Sequence, residues 1–358
     1  MRDTSKRVLF LARELSGYFL SCIEFALSEN VDLQVQIIYW PVNNEAPFEF
    51  EISKKRLRLI PVEQMNDDAF ALFIAQWQPS LWIVSGWADK RYMRWTKKFK
   101  KVYKIVAFDT QWRNTLTFHL GAKWLYLKSM RFFQGAWVPG HRQVILARKF
   151  GFNPQLIKQG YYVADESLFQ HLIEINVDRS ILRIVFVNRI VSEKGFPEVI
   201  SALAEHITQN RLNWRITVVG TGPKLADCPR LDGIDYLGFI QPRDLAAILN
   251  QHHVYVLSSL YEPWGVSVHE AAMCALPLIL SNAVGASDAF LEHGENGFVF
   301  PHGDFISLIQ SIEHINQLSD EQYRLFSARS LTLASQVNQR IWAGQLVDWL
   351  KLSESCAV

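Results

Sequence analysis

Short apolar runs bounded by polar turns recur along the chain, and stretches with helical spacing of apolar residues separate many of them. In the first half the runs fall at residues 7–12 (RVLFLA), 33–39, 57–62, 81–84, 105–108 and 136–138. In the second half they fall at 182–187 (LRIVFV), 214–219, 234–239, 254–257 and 278–281, with an edge-strand candidate at 297–300. Several are apolar throughout rather than alternating, as strands covered on both faces must be. Helical spacing appears at 69–77, 141–150, 197–208, 320–334 and 341–350. Strands alternating with helices predict an α/β protein built on mainly parallel sheets. The polar stretch from Ala164 to Ser180 is the expected hinge. It separates a first domain, 1–165, from a second, 180–335, and the last helix falls in a closing segment, 336–358. That helix carries Trp342 and Trp349 on one apolar face.

Composition adds limits. The chain has 358 residues, 49% of them hydrophobic, enough for two ordinary domains with large cores. Net charge is only +2, but residues 1–178 carry 24 basic and 17 acidic residues, whereas 179–358 carry 13 and 18. An anionic partner is therefore expected to meet the first half. The four cysteines, at 22, 228, 274 and 356, are scattered and form no Cys-x-x-Cys pair or Cys/His group, so neither a zinc site nor a disulfide framework is expected. The N-terminal apolar run meets Arg13 and Glu14 too early for a signal peptide, and no run is long enough to span a bilayer. A cytoplasmic location is the expectation.

Candidate chemistry begins at Ser16-Gly17, where the first strand turns into the first helix; Gly17 reads equally as a tight turn or as a point of ligand approach. Residues 90–104 (KRYMRWTKKFKKVYK) hold eight Lys/Arg among Tyr92, Trp95, Phe99 and Tyr103, and residues 123–133 (KWLYLKSMRFF) repeat the theme. Read as a helix, the first run has an aromatic flank and a basic one. Such a helix can lie on an anionic membrane, at the inner face of the plasma membrane. The plainer reading buries the aromatics and leaves a solvated basic face. Nucleic acid is not an expected partner, because no recognised binding motif is present. After the strand at 105–108, Asp109 to Asn114 form a polar cluster at a strand's carboxyl end, where such folds bind ligands. Asp109 and Arg113 are the better candidates there, with Asn114 beside them and His119 ten residues beyond Asp109.

In the second half, Arg189 and Lys194 flank a strand-to-helix loop, a pair suited to phosphate. Gly220-Thr221-Gly222-Pro223 permits close approach of a ligand, or is only a turn. The most informative stretch is 261–277, YEPWGVSVHEAAMCALP. Glu262 and Glu270 stand eight positions apart around a helix start near Gly265. The free N–H groups of about Gly265, Val266 and Ser267 would suit a phosphate. The two carboxylates would then accept hydrogen bonds from sugar hydroxyls on either side of it, or would merely favour the positive end of the helix.

Several motifs stand together in one order. They are the Arg189/Lys194 pair, Gly220-Thr221-Gly222-Pro223, Leu237-Gly238-Phe239, the Glu262-x7-Glu270 signature and Leu276-Pro277. From about Leu182 to Leu350 the chain resembles retaining glycosyltransferases of the GT4 family, with a weaker match across the first half. The resemblance implies the GT-B fold: two Rossmann-like domains facing across a cleft, with the C-terminal helix crossing back to the first. It implies that Arg189 and Lys194 neutralise a donor diphosphate, and that Glu262 holds hydroxyls of the transferred sugar. Glu270 would bind the ribose, Gly265, Val266 and Ser267 would meet the diphosphate, the Gly222 and Ile240 regions would border the base, and Gly220 would belong to the same donor-binding set. Gly17 would touch the phosphates from the first domain. Relatives often carry a His near Phe108-Asp109. This chain has none there, which leaves Asp109 or His119 for that position.

The implied reaction transfers a hexose from a nucleoside-diphosphate sugar, preferably a UDP-sugar, with retention of anomeric configuration. The acceptor would be a saccharide or lipid-linked saccharide in bacterial cell-surface polysaccharide synthesis. Fixed cations and helix N–H groups would stabilise the departing diphosphate. No Asp-x-Asp triplet is present, so neither a metal nor another cofactor is expected. The competing readings are a nucleotide-sugar epimerase on the same fold, which would consume donor without acceptor, and a non-catalytic sugar-nucleotide-binding subunit.

Overall fold

The computed structural model describes residues 6–41, 55–112, 115, 121, 124–169, 175 and 178–355. The chain divides into two compact units, Met1–Val163 with Gln339–Val358, and Ala164–Asn338.

Among the described residues the first unit is built on seven parallel strands: β1 (Lys6–Ala12), β2 (Leu33–Tyr39), β3 (Leu57–Pro61), β4 (Leu81–Ser85), β5 (Tyr103–Ala107), β6 (Gly135–Trp137) and β7 (Ile157–Lys158). Their order is β3-β2-β1-β4-β5-β6-β7, with Val8 in register with both Val35 and Leu81. The described residues of the second unit form six parallel strands: β8 (Leu182–Val187), β9 (Trp214–Val219), β10 (Ile234–Gly238), β11 (Val254–Leu257), β12 (Leu278–Ser281) and β13 (Gly297–Phe300). Their order is β10-β9-β8-β11-β12-β13, and Val254 pairs with Ile184. Each sheet winds outward in both directions from its first strand, the Rossmann pattern. Each therefore reverses direction once, between β1 and β4 and between β8 and β11, and opens a crevice at the strands' carboxyl ends there. The central strands are buried along most of their length, which accounts for their unbroken apolar runs.

The final helix, Gln339–Ser355, packs into the first unit. Trp342 is fully buried against Trp137, with ring centroids 4.8 Å apart, and its indole N–H donates to the Tyr161 carbonyl at 3.0 Å. Trp349 is equally buried. A Cβ on Gly135 would lie 2.6 Å from its ring, so the absence of a side chain at the start of β6 makes room for it. Gln339 donates to Ser21 in the first helix, Gly17–Glu29, at 2.9 Å.

The basic run at 90–104 departs from the single amphipathic helix expected of it. The helix covers only Lys90–Lys98, capped at its start by the Asp89 carboxylate, which accepts from the Tyr92 N–H at 2.7 Å. Its aromatics are core. Trp95 stacks on Phe70 at 3.9 Å and donates to Asp67, and the Tyr92 hydroxyl lies 3.0 Å from the Ala12 carbonyl oxygen and 3.1 Å from that of Ile38. Tyr103 and Lys104 belong to β5, because the chain turns after Phe99 to enter the sheet. Lys104 is buried, its ammonium donating to the Val102 carbonyl at 2.8 Å, and burial lowers its pKa to about 8. Among the described residues, no helix is long and apolar enough to cross a membrane. Cys22, Cys228 and Cys274 are free and buried, and Cys356 lies outside the described residues.

Candidate active site

The carboxyl ends of β8 and β11 are neighbours across the point where the second sheet reverses, so their following loops must meet. The loop after β8 is first pinned to the loop after β9. The Asn188 N–H donates to Val219 at 3.1 Å, Ile190 to Thr221 at 2.8 Å, and Lys224 back to Ile190 at 3.1 Å. This contact explains Gly220 and Gly222. A Cβ on Gly220 would sit 1.9 Å from the Asn188 carbonyl oxygen, and one on Gly222 would sit 2.3 Å from that of Ile190. The close approach these glycines allow is that of the neighbouring loop's backbone. Ile240, just beyond β10, is half-buried.

The same loop then reaches the one after β11. Leu260 and Tyr261 donate their N–H groups to the Glu193 carbonyl at 2.9 and 3.2 Å. With the backbones joined, Lys194 and Glu262 form an ion pair whose side chains are only 13% and 14% exposed. Arg189, in the same loop, has an exposed side chain. The segment bearing Glu262 is held on its other side by the loop after β12, through Gly285 N–H to the Glu262 carbonyl and Ala286 N–H to Trp264, both at 3.0 Å. Trp264 is buried with its edge toward Phe290.

Gly265, at φ 96°, turns the chain into the helix Val266–Met273; a side chain would be strained at that angle. Among the described residues no side chain caps this helix start. Val266 and Ser267 therefore hold N–H groups outside the intrahelical ladder, at the positive end of the dipole. The Ser267 hydroxyl is fixed at 2.7 Å from the hydroxyl of Tyr255, a buried residue of β11. Glu270 stands one turn into the helix. Burial raises its carboxyl to about 7, and the Asp165 charge adds to the rise. Its neighbour His269 is fully buried, accepting from the Ala164 N–H at 3.1 Å and donating to the Ala334 carbonyl at 3.0 Å. Desolvation holds that imidazole neutral, with its pKa lowered to about 4.

Sequence reasoning assigned no part to Tyr255, His269 or Asp165. The signals available were a phenol inside the otherwise aliphatic run VYVL and a histidine among the apolar residues of VSVHEAAM. In the first unit, Gly17 is the first residue of the helix after β1. Asp109 follows β5, and its carbonyl accepts from the buried Gln143 amide at 2.8 Å. Tyr162 has its hydroxyl pKa raised well above the usual range, first by burial and next by the Asp109 charge. Arg113, Asn114 and His119 lie outside the described residues.

Residues 182–317 match the family model described as glycosyl transferases group 1. Over 148 residues the chain is 30% identical to the capsular polysaccharide biosynthesis glycosyltransferase CapM of Staphylococcus aureus; the match covers 39% of this chain and 37% of CapM. The chain thus spans under two fifths of that relative's length. Similarity of structure is broader. A sucrose-phosphate synthase from Thermosynechococcus elongatus superposes with a TM-score of 0.75, covering 98% of this chain and 99% of that one at 15% identity. Anabaena HepE in complex with UDP gives 0.70, with 96% and 99% covered at 15% identity. The fold is therefore GT-B, two Rossmann-like domains with a returning C-terminal helix, and over residues 182–317 the chain is similar to group 1 glycosyltransferases.

Proposed function

We propose that the protein is a retaining, metal-independent hexosyltransferase that uses a nucleoside-diphosphate sugar, with UDP as the preferred nucleotide. The acceptor in this reading is a saccharide or lipid-linked saccharide of a bacterial cell-surface polysaccharide, met in the cytoplasm. The observation that carries the reading is the meeting of Lys194 and Glu262 beside the uncapped start of the helix Val266–Met273. Breaking an anomeric C–O bond leaves negative charge on a diphosphate. A fixed ammonium and backbone N–H groups in a shielded crevice stabilise that charge more than they stabilise the ground state. Lys194 would be shared between the Glu262 carboxylate and the diphosphate, with Arg189 adding charge from the same loop. Glu262 would orient sugar hydroxyls, and Glu270 would accept from ribose hydroxyls. Asp109 would serve the acceptor side. The cations and helix N–H groups supply the neutralisation that a metal provides elsewhere, which supports metal independence.

The test is a screen of UDP-, GDP- and ADP-sugars for a rise in melting temperature, followed by product analysis with saccharide acceptors in the presence of a chelator. The expected result is stabilisation by a UDP-sugar and chelator-insensitive transfer with the donor's anomeric configuration kept. Conversion of the donor to an epimer without an acceptor, or no stabilisation by any nucleotide sugar, would overturn the proposal.

A further inference from the structure

The two basic-aromatic stretches have opposite fates. In the helix Lys90–Lys98 the aromatics are core, whereas the second stretch buries Met130 and Phe133 but turns Trp124, Tyr126 and Leu127 outward. Trp124 is 59% exposed and Leu127 55% exposed. The Lys128 ammonium lies over the Trp124 ring at 4.2 Å. This surface is continuous with other cations of the first unit. Arg131 and Lys97 both approach the Phe132 ring, at 5.1 and 5.8 Å, and Tyr126 lies beside Gly151, next to the exposed end of the helix His141–Lys149. The charge is unusually one-sided. Between Lys90 and Val163 the sequence carries 16 Lys/Arg and a single acidic residue, Asp109.

Exposed Trp and Leu within a field of cations is the combination that binds an anionic lipid surface. The ring and aliphatic chain enter the headgroup region while the cations face lipid phosphates. A solvated basic face would explain the charge but not the outward Trp124 and Leu127. We infer that the surface around Trp124, Leu127, Lys128 and Arg131 docks the protein onto anionic phospholipid membranes. The inference does not rest on the nucleotide-sugar reading, because none of these residues belongs to that site.

The test is co-sedimentation of the full chain with vesicles of phosphatidylcholine alone and of phosphatidylcholine mixed with phosphatidylglycerol, at low and high salt. Binding is expected only to the mixed vesicles and is expected to weaken with salt. Each basic residue near such a surface contributes about fivefold in partitioning, so Lys128→Glu/Arg131→Glu, a change of four charges, should weaken binding at least ~100-fold. Trp124→Ala/Leu127→Ala should weaken it roughly tenfold. All four side chains are exposed, so both variants should keep the wild-type melting temperature and the wild-type response to nucleotide sugars. No binding to anionic vesicles, equal binding to neutral ones, or indifference to both variants would overturn the inference. So would tighter binding of a random-sequence RNA through the same four residues.

Discussion

The two sheets share one winding order but use their reversal points differently. In the second unit the loops around the β8/β11 reversal are tied by backbone hydrogen bonds into one assembly, and Lys194 and Glu262 are brought into contact. In the first unit the ring of Tyr18, in the helix after β1, lies 5.6 Å from that of Tyr162, where burial and the Asp109 charge raise the hydroxyl's pKa. The same topology thus carries a cation–carboxylate pair in one case and a tyrosine pair near Asp109 in the other. Topology fixes where chemistry can be placed, and the loop residues decide which chemistry it is.

Substitutions can break that contrast at different depths. The largest effect is expected in the scaffold of the first unit. Trp342→Ala removes a fully buried indole and its hydrogen bond, and should cost about 3–5 kcal/mol of stability, read in denaturant unfolding. Next, Lys194→Ala should lower turnover by about 10²–10³ with the fold intact by circular dichroism, the usual loss when one preorganised charge-stabilising group is removed. Asp109→Asn, in the other unit, should leave the nucleotide-induced rise in melting temperature unchanged. A loss of that rise would erase the division of labour between the units.

Glu270 gives a pH signature. Its carboxyl is raised from 4.5 to about 7 in the folded protein, so the folded state holds the proton more tightly than the unfolded chain. Stability is then fully present below pH 4.5 and is lost as pH rises towards 7 and above. Glu270→Gln removes this loss. The variant should match the wild type in melting temperature near pH 4 and exceed it at pH 8, while losing affinity for the nucleotide. The smallest effect belongs to Tyr255→Phe. It deletes one part-buried hydrogen bond to Ser267 and should cost about 1 kcal/mol of stability, read in denaturant unfolding.

The strands were legible because parallel sheets buried on both faces demand unbroken apolar runs, as in LRIVFV and VYVL. The helix start at Gly265 was legible because a turn residue precedes an apolar-periodic stretch. What could not be read depends on contacts distant in sequence. Gly220 and Gly222 look like ligand-approach glycines locally, and only the neighbouring backbone at Asn188 and Ile190 shows what they admit. The helix at Lys90–Lys98 carries a strongly basic face, and only Phe70 and Asp67 reveal its aromatics as core. The ion pair between Lys194 and Glu262 spans 68 residues, beyond any local pattern.

The most direct test of the central claim, that the Lys194–Glu262 junction is the donor diphosphate site, is calorimetric titration of UDP into the wild type and Lys194→Ala. Saturable binding to the wild type that weakens at least ~10-fold in the variant, as loss of a charge-assisted contact worth about 1.5–3 kcal/mol requires, is the predicted result. Equal affinity for the two proteins, or no binding to the wild type, would contradict it.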